Sequence, residues 1–352
     1  MLLLLLTLVS CNPSPTQSPE AKRARVLTIY STTDTSVFRP VIDDFRAIRP
    51  DIAIRYVLLD GQPLYDRFLH EKRTGSASAD LLLSSAMDLQ VKLVNDGFAA
   101  EHVSPDGAAL PAWARWRNEA FGVTFEPAVM VFNARLMRGR QVPRSRPALL
   151  QALMRDPAFW RGRIGTYDIE TSSVGYLLAS QDARQSSDFS SLVQAFGLAE
   201  LRTFGSTAEL LNKVERGELI MGYNLLGSYA RNRAEAGAPL TIVYPEDYTL
   251  AVSRTVVLPK SAPNSPDAHV FLDYLLSLRG QRTLAAQSRL SAARPEIVGP
   301  YSRLGMAETQ VGPLRPIGLG PGLLTYLDDQ KRRRLLESWH RSLAPAAAPP
   351  AR

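Results

Sequence analysis

Val26-Leu27-Thr28-Ile29-Tyr30-Ser31-Thr32-Thr33-Asp34 is the stretch from which the fold can be read. Five residues that suit a strand are followed at once by small hydroxyls and an acid, the residue types that open a helix. Val37, Phe38, Val41, Ile42, Phe45 and Ile48 then recur at helical spacing until Pro50 stops the pattern. The cycle repeats downstream. Residues 52–59 read as a second strand, 64–72 as a helix, Asp80-Leu81-Leu82-Leu83 as a third strand, and 87–95 as a helix closed by Gly97. Such alternation predicts a parallel sheet with right-handed crossovers. Strands that are apolar throughout predict helices on both faces.

Further along, the rhythm stutters over 121–133, where two extended runs flank Glu126-Pro127. A second alternation follows: strands at 163–166, 201–204, 219–223 and 240–243, with helices at 173–181, 207–216 and 226–236. After Tyr244-Pro245-Glu246-Asp247 the chain enters Thr255-Val256-Val257-Leu258, a Pro-capped helix over 268–278, another at 281–287, and a terminal helix over 323–343. No repeat at solenoid period is visible.

The 352 residues suffice for two modest domains with cores of their own. The formal charge is +7, carried by 35 arginines against 6 lysines scattered along the chain. They read as a solvated surface whose field would help to collect an acidic ligand; nucleic-acid binding would want a patch. The single cysteine, Cys11, excludes an intramolecular disulfide and a multi-cysteine metal site. Residues 1–9 form a leucine-rich run far below the ~20 needed to span a bilayer. That run ends in Leu8-Val9-Ser10-Cys11 and turns polar, which resembles a bacterial lipoprotein signal with Cys11 as the lipidated residue, although a basic n-region is missing. A chance cysteine after an ordinary signal peptide is the alternative. Residues 12–25 read as a flexible tether and 344–352 as a disordered tail.

The order of these segments resembles a known family, the type II periplasmic solute-binding proteins of ABC importers, in particular ferric-iron and phosphosugar binders. The residues that carry the likeness are residues 26–31, Ala79-Asp80-Leu81-Leu82-Leu83-Ser84 with Leu93-Val94-Asn95-Asp96-Gly97, the 121–133 crossover, Gly217-Glu218-Leu219-Ile220-Met221-Gly222-Tyr223, and 259–264 leading into 271–276. The stretch 316–328 is more loosely similar to phosphoglycerate-transport regulatory proteins. The resemblance implies an α/β, two-lobe periplasmic-binding-protein-like fold, with two parallel or mixed sheets flanked by helices and joined by a two-strand hinge. Lobe one would comprise 26–125 and 248–343, and lobe two 126–247. The implied protein is a periplasmic, lipid-anchored monomer that passes its solute to an ABC permease. An alternative presents the closed form to a sensor domain of a histidine kinase.

Ligand in such a fold sits at the carboxyl ends of the strands. Four hydroxyl-rich loops occupy that position, and their candidate ligand-binding residues are Ser31, Thr32, Thr33, Ser84, Ser85, Tyr167, Thr171, Ser172, Ser173, Tyr223, Asn224 and Ser228. Helix N-termini with small hydroxyls favour an anion without a lysine. The same residue types are ordinary helix caps, and Asp34 and Asp88 read equally well that way. Ferric binders of the family place two adjacent tyrosines at the end of the strand where this chain has Tyr223-Asn224, so an organic anion is the expected cargo and iron the alternative. No metal or cofactor site is expected. Gly-x-Ser-x-Gly, His-Glu-x-x-His and a phosphate loop are all missing, and His70, His102, His269 and His340 stand apart in sequence, which disfavours an enzyme. Trp113, Trp116, Trp160 and Trp339 read as packing residues.

Overall fold

Strand β1 (Arg25–Ser31) pairs in parallel with β2 (Ile52–Leu58) on one side and with β3 (Leu81–Ser84) on the other. Successive side chains of a strand point to opposite faces. Leu27 and Ile29 accordingly enter one core with Phe38, Val41 and Phe45, while Tyr30 enters another with Leu64, Phe68 and Leu82. The helices Thr35–Ile48 and Gly61–Thr74 supply those two faces. The sheet is completed by β4 (Arg115–Trp116), β5 (Ala120–Gly122) and β12 (Thr255–Val257) in the order β2-β1-β3-β12-β5-β4. The structure, a computed structural model, describes residues 25–76, 78–303, 305 and 312–344. Cys11, the leader, nearly all of the tether and the tail beyond residue 344 lie outside the described residues.

A second sheet is organised around β6 (Glu126–Asn133), whose eight residues are all buried. It runs antiparallel to β9 (Met221–Leu226), β10 (Leu240–Val243) and β11 (Thr249–Val252). Beyond β9 lie β7 (Ile164–Tyr167) and β8 (Arg202–Phe204), both parallel to it in sense. Met130 and Phe132 pack with Leu149, Trp160 and Phe196 on one face; Val129 and Val131 pack with Leu210, Leu211 and Val214 on the other. The α/β two-sheet architecture is therefore the expected one.

The lobe boundaries differ from expectation in two places. The second half of lobe one was expected to resume at residue 248, yet β11 belongs to the second sheet, with Ala251 opposite Pro127. Its pairing with β6 places this segment in the second sheet, which the chain leaves only at β12. The terminal helix also sits elsewhere. Residues 323–343 do not form one helix: a 3-10 turn (Pro321–Tyr326) ends before Asp328, which caps a new helix (Asp329–Leu343) by accepting from the Lys331 N–H. That helix lies on lobe two, where Trp339 packs with Phe189, Val193 and Ile169. A helix Phe189–Leu198 receives it, and Gly197 lets the Leu343 backbone approach closely. Ala293 packs in the lobe-one core while β13 (Leu314–Pro316) pairs with β11, so the described residues on either side of this stretch lie in different lobes.

Trp339→Ala should lower thermal stability by about 3 kcal/mol, on the scale of large aromatic truncations in a buried site. Hydrogen exchange of the Phe189–Leu198 amides should speed up in the same variant if the terminal helix is part of lobe two.

Candidate functional site

Six strand-to-helix turns converge on one cleft between the sheets. Its walls include Thr32, Asp34, Asp60, Gly61, Ser85 and Ala86 from lobe one and 171–174, 205–208, Leu226 and Tyr229 from lobe two, around a volume of about 340 Å³. The helices Thr35–Ile48, Gly61–Thr74 and Met87–Asn95 point their N-termini into it from one side; Ser173–Gln185, Thr207–Glu215 and Gly227–Glu235 do so from the other. Each leaves N–H groups and a partial positive charge at its first turn.

Ser172 and Ser206 cap their helices, accepting from Gly175 N–H and Glu209 N–H. The three lobe-one helices and Gly227–Glu235 begin with no side-chain cap. Asp34 stands at the capping position, but its carboxylate accepts a 2.8 Å hydrogen bond from the Tyr229 hydroxyl across the cleft. Asp88 is buried in the first turn of its helix and accepts from Leu89 N–H; burial pushes its carboxyl up to about 6. The lobes meet closely here: a Cβ on Gly61 would stand 2.8 Å from the Cβ and hydroxyl of Ser173.

The strongest electrostatic feature is a residue that the sequence reading passed over. Arg254 lies between β11 and β12, is 1 % exposed, and lines the cleft. Its Nη1 donates to Thr33 Oγ1 at 2.9 Å, while the buried Nε and Nη2 have no hydrogen-bond partner among the described residues. The guanidinium carbon is 5.4 Å from the Tyr229 ring centroid. Burial opposes this charge, yet Tyr229 and Glu126 nearby leave its proton affinity above the ordinary arginine value. A buried arginine inside a short polar break between two apolar strands, Ser253-Arg254-Thr255, was the available signal.

Of the twelve candidate residues, five line the cleft: Thr32, Ser85, Thr171, Ser172 and Ser173. Ser31 and Ser84 are turned into their own loops, accepting from Thr33 N–H and Ala86 N–H. Thr33 holds Arg254, and Tyr167 stands behind the wall with its hydroxyl on Thr207. Ser228 is buried against Ser291. Gly205, Ser206 and Thr207 also line the cleft and were not among the candidates, although a helix was expected to open at Thr207.

Tyr223 and Asn224 point away from the cleft. Asn224 adopts φ 61°, and the pairing of β6 with β9 shifts register nearby, between Val129 and Val131. This breaks strand alternation, so both side chains reach one carboxylate. Asp182, fully buried, accepts from the Tyr223 hydroxyl at 2.9 Å, Asn224 Nδ2 at 2.7 Å and the Tyr248 hydroxyl at 2.7 Å, with Arg146 Nη2 at 3.0 Å. Burial opposes the Arg146 charge, but Asp182 raises its proton affinity above the ordinary value. The pair is thus a clamp inside lobe two.

Residues 76–303 match the profile of the bacterial extracellular solute-binding proteins. This chain belongs to that family. The substrate-binding protein of an ABC transporter from Agrobacterium tumefaciens is 38% identical over 92% of this chain and 96% of that one, with a TM-score of 0.87. At fold level the chain is similar to AfuA of Actinobacillus pleuropneumoniae, solved with fructose 6-phosphate (19% identity, 90% and 98% covered, TM-score 0.73). It is also similar in fold to iron-bound HitA of Pseudomonas aeruginosa (18%, 90% and 99%, 0.68). No curated protein matches by sequence. Members of the family are transport components that bind solute outside the cytoplasm for an ABC permease, not enzymes.

The histidines that stand apart in sequence are not all alone in space. His102 Nδ1 lies 2.7 Å from His269 Nδ1 and its Nε2 is 2.8 Å from Asp273, away from the cleft. Among the described residues no group of three or more His, Cys, Asp or Glu side chains could hold a metal ion. No described helix is long and apolar enough to cross a membrane.

Gly61→Leu should wedge the cleft open, weakening solute affinity by about 1–3 kcal/mol, the usual cost of overpacking. The thermal stability of the unliganded protein should change little, and small-angle scattering should show that saturating solute no longer compacts the variant.

Proposed function

We propose that this protein captures a small anionic solute, a phosphorylated organic compound, between its lobes and delivers it to the permease in the closed form. The observation that carries this reading is the buried guanidinium of Arg254 on the cleft wall, with two nitrogens unpartnered, among six helix N-termini. Charge-assisted hydrogen bonds to such a group are among the stronger ones, and the uncapped N–H groups extend the donor set without further cations. Thr32, Ser85, Thr171, Ser172, Ser173 and Thr207 add hydroxyls that can donate to phosphate oxygens.

Iron is the competing cargo, and the cleft chemistry disfavours it. The tyrosine at the position that ferric binders use, Tyr223, is committed to Asp182. Tyr229 faces the cleft, but burial pushes its phenol up to about 12, which works against the phenolate that Fe³⁺ prefers. Arg254 would also repel a trication.

A thermal-shift screen of phosphate esters, carboxylates and metal ions tests the reading. A bound phosphate ester at 100 times its Kd should add about 2.7 kcal/mol of apparent stability. Strong stabilisation by Fe³⁺ with no response to phosphate esters would reverse the assignment. Arg254→Lys should weaken phosphate-ester binding by roughly 1.5–3 kcal/mol, the worth of hydrogen bonds to a charged group, as read by calorimetry. We further propose that Cys11 carries a lipid anchor; Cys11→Ser should then release the protein from the membrane fraction into the periplasm.

A further inference from the structure

Glu126 opens β6 and Arg254 follows β11, so the two stand on the strands by which the chain crosses between lobes. Both are buried, at 0 % and 1 % exposure, with Arg254 Nε 3.7 Å from Glu126 Oε1, beyond hydrogen-bond range. Neither carboxylate oxygen has a well-formed hydrogen bond, although the hydroxyls of Ser228 and Thr124 lie close enough to ease its charge. The other titratable groups that face Glu126 are the phenols of Tyr229, on the Gly227–Glu235 helix, and Tyr244, after β10. Arg254 is the cation set against it.

An acid so placed is a poor structural device, because a buried charge is stabilised only by good partners. It is well placed for another task. Burial already raises the proton affinity of Glu126, and the Arg254 charge is the largest effect opposing this. An anion seated in the cleft beside the Arg254 guanidinium draws on that charge and brings a like charge close to the carboxylate. Both changes favour the neutral acid, whose O–H can donate to the Ser228 or Thr124 hydroxyl.

We propose that Glu126 is the residue that selects ligand charge: it competes with the ligand for Arg254 in the empty cleft and takes up one proton when a dianion binds. This rests on the anionic reading of the cleft. The sign follows from linkage. Glu126 binds its proton more tightly in the liganded form than in the empty one. Affinity is therefore highest below the empty-cleft titration and falls as pH rises through the liganded one, by at most about tenfold per pH unit. A monoanion gains less from the same exchange, so proton uptake discriminates by charge.

Glu126→Gln removes the competition and the proton together. It should bind a dianion about tenfold more tightly at the alkaline end, for each pH unit of linkage lost, with a flat pH profile. The same variant should melt lower than wild type, since Arg254 loses its counter-charge. A merely structural acid would lower stability without tightening binding.

The test is titration calorimetry on the purified protein with fructose 6-phosphate, inorganic phosphate and sulfate as probes. It is run in buffers of unlike ionisation heat at a series of pH values that includes about pH 7.5, where phosphate esters are largely dianionic, and the uptake is read where it is largest. Sulfate does not titrate in this range, so protons taken up with it belong to the protein. The expected result is uptake of about one proton by wild type and none by Glu126→Gln, with Glu126→Met as the second variant should the amide fail to fold. Binding without proton uptake, or uptake that persists in both variants, overturns the proposal while leaving the anion reading intact. No binding of any probe overturns the anion reading and this inference with it.

Discussion

Burying one guanidinium sets the terms for both lobes. The Arg254 guanidinium is removed from water with the Thr33 hydroxyl as its one hydrogen-bond partner among the described residues and Glu126 as its nearest counter-charge. Desolvating a charge on this scale is costly unless partners surround it. Here the partners come from different parts of the molecule: Thr33 from the β1 loop, Glu126 from a hinge strand, and the Tyr229 ring from lobe two. The charge is therefore best accommodated when the two sheets face each other, and it stands on the wall of the cleft between them. Closure by a ligand that touches both lobes is the hinge motion that two-lobe binders use.

A second buried ion cluster does a different job. Asp182 accepts from Tyr223, Tyr248 and Asn224, pairs its charge with Arg146, and ties the Ser173–Gln185 helix to β9, to the segment after β10 and to the Arg146–Arg155 helix. The helix N-terminus that faces the cleft through Ser172 and Ser173 is thereby fixed from its far end. The contrast is physical: Asp182 has its hydrogen bonds, Glu126 does not. Satisfied networks rigidify a fold, while a poorly satisfied pair is free to respond to a new charge.

The fold was legible because β1, β3, the helices between them and the second alternation each satisfy a local rule. Leu27/Ile29 against Tyr30, or Phe38/Val41/Phe45, need nothing but period and polarity to be assigned. The Phe189–Leu198 helix was legible too, through Phe189, Leu192, Val193 and Phe196 at helical spacing, and went unread. Lobe membership of β11 and of the terminal helix was not legible. An apolar strand or helix face announces that it is buried, but not against what; only the pairing of Ala251 with Pro127 and the seat of Trp339 beside Phe189 decide that.

The same division runs through the site. Sequence by itself determined that hydroxyl-rich turns would stand at strand ends before helices, because strand and helix periodicity and capping chemistry are local. It thereby located Thr32, Ser85 and residues 171–173. Tertiary structure alone decided which of those groups face the cleft. A left-handed backbone at Asn224 turned Tyr223 and Asn224 inward to Asp182, and the return of a distant strand brought Arg254 to Thr33 and Glu126. Charge burial depends on what surrounds a residue in three dimensions, and residues 33, 126 and 254 are far apart in the chain.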